Sequence, residues 1–223
     1  MSAIVEVRYG RRTIRYIRPR VVIKVLNDFS IPDVRKKKTW EERYFLVSFM
    51  FWTGLRASEV LLTKRGDIDF VSKILYAPTL KKGKRRKKNG EEKENKKKEK
   101  KPEKRPIGLD HIPIDTLQYW EKFLSGLDFS DKIISLKTRY GIYRAIREFF
   151  EYFGIKGVHP HMLRHSIAIY LASQGMPINA LQAFLRHTNP ANTAIYYSIS
   201  GLDTKPFLRE IARKRQLGLE VWI

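Results

Sequence analysis

The chain contains no cysteine. Disulfides, thiolate nucleophiles and cysteine-ligated zinc or iron–sulfur centres are thereby excluded. Long apolar runs are missing too. The richest, Tyr44 to Leu55, is interrupted by Ser48, Thr53 and Gly54 and is too short to cross a bilayer. Met1 to Arg12 lacks an apolar core of the length a secretion signal needs. Acidic residues are scarce: 23 Asp and Glu face 45 Lys and Arg, a formal net charge of +22. A chain this positive attracts polyanions, of which nucleic acid is the commonest. The expectation is a soluble, cytoplasmic protein that works on nucleic acid, with no membrane partner. Charge alone does not separate an enzyme from a ribosome-like or merely sticky basic protein.

What is present suffices for one domain. At 43% hydrophobic, 223 residues can bury a proper core with a small appendage. Residues 1–20 carry Arg8, Arg11, Arg12, Arg15, Arg18 and Arg20 among Tyr9, Tyr16 and β-branched residues, a basic arm or short strand. Such an arm either lies along phosphates or is a solvated terminus. Pro19 opens a helix through Val22, Val25 and Leu26. Thr39 to Thr53 predicts a buried helix. Phe45, Phe49 and Trp52 recur at helical spacing, and Thr39 with Glu42 has the spacing of a capping box. A short helix carrying Val60 and Leu61 follows Arg56, and Lys64 to Asp67 turns into a strand at Ile68–Phe70.

Lys73 to Leu80 is a second strand, and Arg105 to Ile114 its return. Between them, Lys81 to Arg105 holds 15 Lys or Arg and five Glu, with nothing apolar from Lys81 to Lys101. That stretch can bury nothing and reads as a long tip inserted into a hairpin. Helices then resume: one capped by Asp115, one begun at Thr138, then Pro160–Ser173, Pro177–Leu185 and Thr193–Tyr197. A last helix is expected from Pro206 to about Gln216. The fold class is mainly α with a small antiparallel β-sheet in the first half.

Four segments carry side chains suited to chemistry on a phosphate. In Thr53-Gly54-Leu55-Arg56-Ala57-Ser58-Glu59 the glycine can stop one helix and leave Arg56 at a junction. The same arginine could instead form a surface pair with Glu59 at i+3. In His161-Met162-Leu163-Arg164-His165, just after Pro160, His161 and Arg164 share a helix face and can point at one anion. His161 and His165 also have the i, i+4 spacing of a zinc pair. However, the glutamate of the two-histidine zinc motif and a nearby acidic third ligand are missing. No metal is expected, and His165 reads as a packed or supporting histidine rather than a reactive one. Leu185-Arg186-His187-Thr188 adds an arginine and a histidine. Ile195-Tyr196-Tyr197 closes the series, and composition does not separate its two tyrosines.

In this order the segments resemble the tyrosine recombinase (phage integrase) family, over residues 40–200. The likeness rests on a TGLRxSE-type box, an HxLRH box, an LGH-like box and an IY box. His161 to His187 is 26 residues and His187 to Tyr196 is 9, both typical of that family. The resemblance implies its catalytic-domain fold, the DNA breaking-rejoining enzyme fold. Residues 1–38 are then a basic arm and first short helix. Residues 39–200 are the catalytic domain, with 81–104 a lysine-rich hairpin insert, and 201–223 are a C-terminal helix and tail. The implied activity is site-specific recombination or integration. Double-stranded DNA is cleaved and religated through a 3′-phosphotyrosine link, with no cofactor, neither metal nor nucleotide.

The nine-residue step selects Tyr196 over Tyr197 as nucleophile. Arg56 and Arg164 would fork onto the nonbridging oxygens. His161 and His187 would add donors, and His161 is the expected acceptor of the tyrosine proton. Free tyrosine has a pKa of about 10, and the surrounding cations are expected to favour the phenolate. The family's hairpin lysine, which protonates the leaving 5′-oxygen, falls at Lys81, with Lys82 as the alternative. Lys82, Lys84, Arg85 and Arg86 are expected to bind DNA. So is Arg186, which stands where the family usually has glycine. The implied partner state is a homotetramer on DNA, formed from a monomer or weak dimer. Only about 40 residues precede the first catalytic helix, so the chain reads as a catalytic domain alone. A type IB topoisomerase-like relaxing enzyme would use the same residues. A non-catalytic basic DNA-binding protein would explain the charge but not the set.

Lys81→Ala should slow strand cleavage by about 10²–10⁴-fold. A 5′-bridging phosphorothiolate, whose leaving group needs no acid, should restore it. Rescue of Lys82→Ala instead would move the role by one residue.

Overall fold

The computed structural model describes residues 2–79 and 103–200, and Arg213 beyond them. Lys81, Lys82, Lys84, Arg85, Arg86, nearly all of the lysine-rich insert, and the C-terminal helix and tail lie outside the described residues. Helix α1 spans Pro19–Asn27 and α2 spans Lys37–Thr53. Every residue of α2 from Phe45 to Thr53 is buried. A helix without a polar face belongs inside a domain. Here α4 (Ile114–Leu124), α5 (Arg139–Tyr152) and α6 (Pro160–Ser173) enclose it. Trp120 of α4 donates its Nε1–H to Ser48 Oγ at 2.8 Å, which satisfies both buried polar groups.

The start of α2 differs from the sequence expectation. A 3-10 turn at Val34–Lys36 precedes it, and Asp33 caps that turn by accepting from the Arg35 N–H at 2.9 Å. The helix is therefore already running when Thr39 is reached. Glu42 does not close a capping box. It accepts instead from the Ser135 hydroxyl at 2.9 Å and from that residue's backbone N–H. Thr138 caps α5 as expected, accepting from the Gly141 N–H at 3.1 Å.

Strands β3 (Ile68–Asp69), β4 (Ile74–Thr79) and β5 (Glu103–Gly108) form an antiparallel sheet in the order β3-β4-β5. Leu75 faces Ile107 across it, and both point into the core. The return strand was expected to reach Ile114 but stops at Gly108. The Leu109 N–H closes the ladder on the Lys73 carbonyl at 2.8 Å, and Ile112 turns back on Leu109. Pro113 then caps α4, and Asp115 lies inside its first turn rather than at the cap. A proline with no N–H suits a helix start and ends a strand.

The basic N-terminal segment is a hairpin, β1 (Ile4–Tyr9) paired with β2 (Arg12–Ile17) in full register. Val7 pairs with Ile14 and Val5 with Tyr16, so one face is apolar and packs on α6. Ser166 of α6 fastens it. Its Oγ accepts the Ile17 N–H at 3.1 Å and lies 2.7 Å from the Ile17 carbonyl, to which it can donate in turn. Among the described residues no helix is long and apolar enough to cross a membrane. Ser166→Ala leaves a buried backbone N–H unpaired and should cost about 1–3 kcal/mol in urea denaturation. Faster hydrogen exchange at the Ile17 amide should accompany it. An unchanged midpoint would mean that apolar packing alone holds the hairpin.

Candidate active site

Several helix ends meet at one place. α2 stops at Gly54, which has a left-handed φ of 61° and closes the last turn on the Met50 carbonyl at 3.1 Å. Glycine takes that conformation without strain. An added Cβ would also lie 3.2–3.4 Å from the side chains of Phe184, Ile167 and Leu185. The chain turns at once into α3 (Ala57–Val60), with Arg56 as its N-cap residue. Glu59 folds back onto it. Oε2 accepts the Arg56 backbone N–H and Oε1 accepts the Arg56 guanidinium, both at 2.8 Å. The i+3 pair therefore exists, but it is no surface pair: the Glu59 side chain is 1% exposed and that of Arg56 36%.

Arg164 is buried on α6. One Nη donates to the Gly54 carbonyl and the other to the Leu185 carbonyl. Burial first, then the neighbouring Arg56 and Arg186 cations, push its pKa down to about 9, which still leaves it charged at neutral pH.

Helix α7 (Ile178–Leu185) ends at Arg186, which has φ 54° and ψ 41°. This left-handed conformation costs an L side chain about 1–2 kcal/mol and suits the glycine usual in the family. The expected DNA contact at Arg186 is not what the structure contains. Its side chain turns inward, 1% exposed, and donates to Glu59 Oε2 at 2.9 Å and to the Phe184 carbonyl at 2.9 Å. A buried carboxylate is the reason, since leaving that charge under-compensated would cost several kcal/mol. Among the described residues the buried Nε of Arg186 has no hydrogen-bond partner. Burial alone would raise the Glu59 pKa. Arg186, the Arg56 N–H, Arg164 and the Arg56 cation outweigh it and hold the carboxyl below its usual range. Glu59 was read from the sequence only as a partner for Arg56, and its position three residues on was the available signal.

Helix α8 (Ala191–Ser200) carries Tyr196, which is 2% exposed. Its hydroxyl lies 2.9 Å from Nδ1 of His165. His165 thus holds the place expected of His161, which lies one turn earlier at the exposed start of α6, its ring 6.4 Å from that of His165. The His187 ring stacks on Tyr196 at 6.3 Å between centroids, and its Nδ1 lies 3.0 Å from the Thr193 hydroxyl. Tyr197 points elsewhere and donates its hydroxyl to the Met176 carbonyl.

Burial is the first cause that lowers both of these half-buried histidines. His187, beside Arg164 and Arg56, is pushed down to about 3, and His165, beside His161 and Arg164, to about 4. Both are neutral at physiological pH. Tyr196 is raised, because burial outweighs the lowering by Arg164 and Arg56. The expected tilt toward phenolate is therefore reversed, and the resting residue is a phenol. Arg56, His161, Arg164, His187 and Tyr196 come together, while Lys81 lies outside the described residues. Among the described residues no group of three or more His, Asp or Glu side chains could hold a metal ion. The arrangement can seat one anion against fixed guanidiniums, next to a hydroxyl that has a neutral imidazole beside it.

A mainly helical domain with small antiparallel sheets, converging on these side chains, has the fold of tyrosine recombinase catalytic domains. Residues 22–201 match the phage integrase family, and the chain belongs to it. It is 28% identical over 187 residues to tyrosine recombinase XerC of Chlamydia muridarum, covering 82% of this chain and 54% of that protein. It is 28% identical over 190 residues to a tyrosine recombinase of Pseudothermotoga lettingae, covering 85% and 58%. The chain spans about half the length of the curated relatives it matches. Among solved structures, XerA recombinase superposes with a TM-score of 0.62 at 21% identity, covering 94% of this chain and 66% of that one. The Tn1549 transposon integrase in complex with circular intermediate DNA gives 0.56 at 18%, covering 82% and 62%.

Arg186→Met removes the ion pair but keeps the left-handed strain, and should cost about 3 kcal/mol in chemical denaturation. Arg186→Gly also relieves that strain and should cost about 1–2 kcal/mol less. Equal losses would mean that the conformation at 186 carries no strain.

Proposed function

We propose that the chain is the catalytic part of a site-specific DNA recombinase or integrase, with Tyr196 as its nucleophile. The single observation that carries this is the buried Tyr196 hydroxyl, set against an imidazole and close to the Arg56 and Arg164 charges. Double-stranded DNA is the partner, in keeping with the net charge of +22. A homotetramer on DNA is the exchanging assembly.

Arg164 has five N–H donors, and bonds to two carbonyls leave others for a nonbridging oxygen. Arg56 gives one Nη to Glu59 and offers its remaining donors from the open side. His161 adds a donor from the mouth of the site. His187 is neutral; in the tautomer whose Nδ1 accepts from the Thr193 hydroxyl, the ring proton is on Nε2, where it can serve as a donor to the phosphate. These donors are held in place before any charge develops, the arrangement that most lowers a barrier of this kind. In-line attack by Tyr196 forms the 3′-phosphotyrosine link and frees a 5′-hydroxyl, with Lys81 supplying the proton. The bond energy is kept in that link, so religation needs no nucleotide.

Tyr196→Phe should bind DNA with unchanged affinity and form no covalent adduct on a nicked suicide substrate. Adduct retained in that variant and lost in Tyr197→Phe would reverse the assignment. Adduct formation by the unsubstituted chain should be indifferent to EDTA.

A further inference from the structure

We propose that His165 is a catalytic residue, whose Nδ1 takes the proton from Tyr196 Oη as that oxygen attacks phosphorus. This rests on Tyr196 being the nucleophile proposed above and adds the group that activates it.

The geometry is direct: Nδ1 and Oη are 2.9 Å apart, with ring centroids 5.8 Å apart. A phenol buried this deeply must place its proton on an acceptor. The guanidiniums of Arg56 and Arg164 have none to offer. Glu59 is taken up by Arg56 and Arg186. The Nδ1 of His187 is engaged with Thr193. Among the described residues, His165 Nδ1 is the nitrogen that lies at hydrogen-bond distance from the hydroxyl, and accepting there puts the ring's own proton on Nε2.

The surroundings also decide when that base works. Facing His165 are His161 and Arg164 from its own helix, His159 from the preceding cap, His187 from the end of α7 and Tyr196 from α8. The arginine is cationic and the nearby imidazoles are neutral. Burial first, and the cationic arginine with it, therefore disfavour an imidazolium. A seated phosphodiester brings negative charge, which grows in the transition state and stabilises a proton on the ring. The base thus gains strength from the substrate itself.

The step balances. The Oη–H bond breaks and its proton goes to Nδ1, while the oxygen's electron pair forms the O–P bond. The P–O5′ bond breaks with its pair on O5′, which takes a proton from the leaving-group acid. Religation runs the same transfers backward and returns the proton from His165 to Tyr196.

The test measures single-turnover adduct formation by the full chain, using a 5′-bridging phosphorothiolate so that the leaving-group acid drops out of the pH profile. The unsubstituted chain should give a profile nearly flat from about pH 6 to 9, because the half-buried base is already unprotonated. His165→Ala should be slower by about 10²–10⁴-fold at neutral pH. Its rate should rise about tenfold per pH unit, since solvent must now ionise a phenol whose pKa starts near 10. His165→Asn offers a carbonyl oxygen where Nδ1 was, so it keeps the hydroxyl oriented but cannot take its proton. It should show the same rise, with melting temperature and DNA affinity unchanged. A flat profile and near-normal rate in His165→Asn would overturn the proposal and leave only an orienting contact. Adduct lost in Tyr196→Phe but made at an unchanged pH profile by both His165 variants sinks this inference alone. No adduct from the unsubstituted chain sinks the nucleophile as well.

Discussion

One buried guanidinium sets the geometry on which the rest depends. α2 and α7 both end near the site, and a helix end leaves carbonyls without intrahelical partners. Arg164 donates to the Gly54 carbonyl after α2 and to the Leu185 carbonyl at the end of α7. A cation is also favourable at two negative dipole ends. Because that side chain comes from α6, three helices are fastened through it. Arg56 follows Gly54 by two residues and His187 follows Leu185 by two, so the same bonds decide where both stand. Segments far apart in the chain converge because their turns are capped by a common group.

The charge states follow from that convergence. Three guanidiniums, of Arg56, Arg164 and Arg186, surround one carboxylate, Glu59, in a space mostly closed to water. Burial first, and the positive surplus with it, keeps His165 and His187 neutral, and that surplus makes the site receptive to one phosphate. Arginine supplies the charge, while histidine supplies orientable hydrogen bonds and a place for a proton. Burial wins over those same cations at Tyr196, so its side chain rests as a phenol.

Much of this was legible in the sequence where a local rule governs the outcome. Gly54 as a stop, Thr138 as a cap and Pro160 as a helix start depend on a few neighbouring residues, and each behaves as read. The steps from His161 to His187 and from His187 to Tyr196 carried the family resemblance, and the structure brings these side chains close to one another. What failed depended on partners distant in the chain. Glu42 caps nothing because Asp33 starts the helix earlier and Ser135 needs an acceptor. Residues 4–17 read as an arm or a short strand, and the structure has strands there; their pairing as a hairpin was hidden because the arginines mask a short apolar alternation that α6 completes. His165 reads as a packed or supporting histidine, but that Tyr196 is the residue it meets is settled by the packing of α8 on α6, which no local rule shows.

Arg186 shows how a residue that breaks a local rule can serve a distant one. A left-handed position at the end of α7 favours glycine, and arginine there accepts strain. In exchange it neutralises Glu59 from inside. With Oε2 held by Arg186, Glu59 draws one Nη and the backbone N–H from Arg56, and the other Arg56 donors are left over. Were Arg56 the sole counter-ion of a buried carboxylate, seating a phosphate would mean pulling it from that pair, at the cost of an uncompensated charge. A second, fully enclosed guanidinium removes the conflict. The carboxylate keeps a permanent partner, and the more exposed arginine remains free to share itself with an incoming anion.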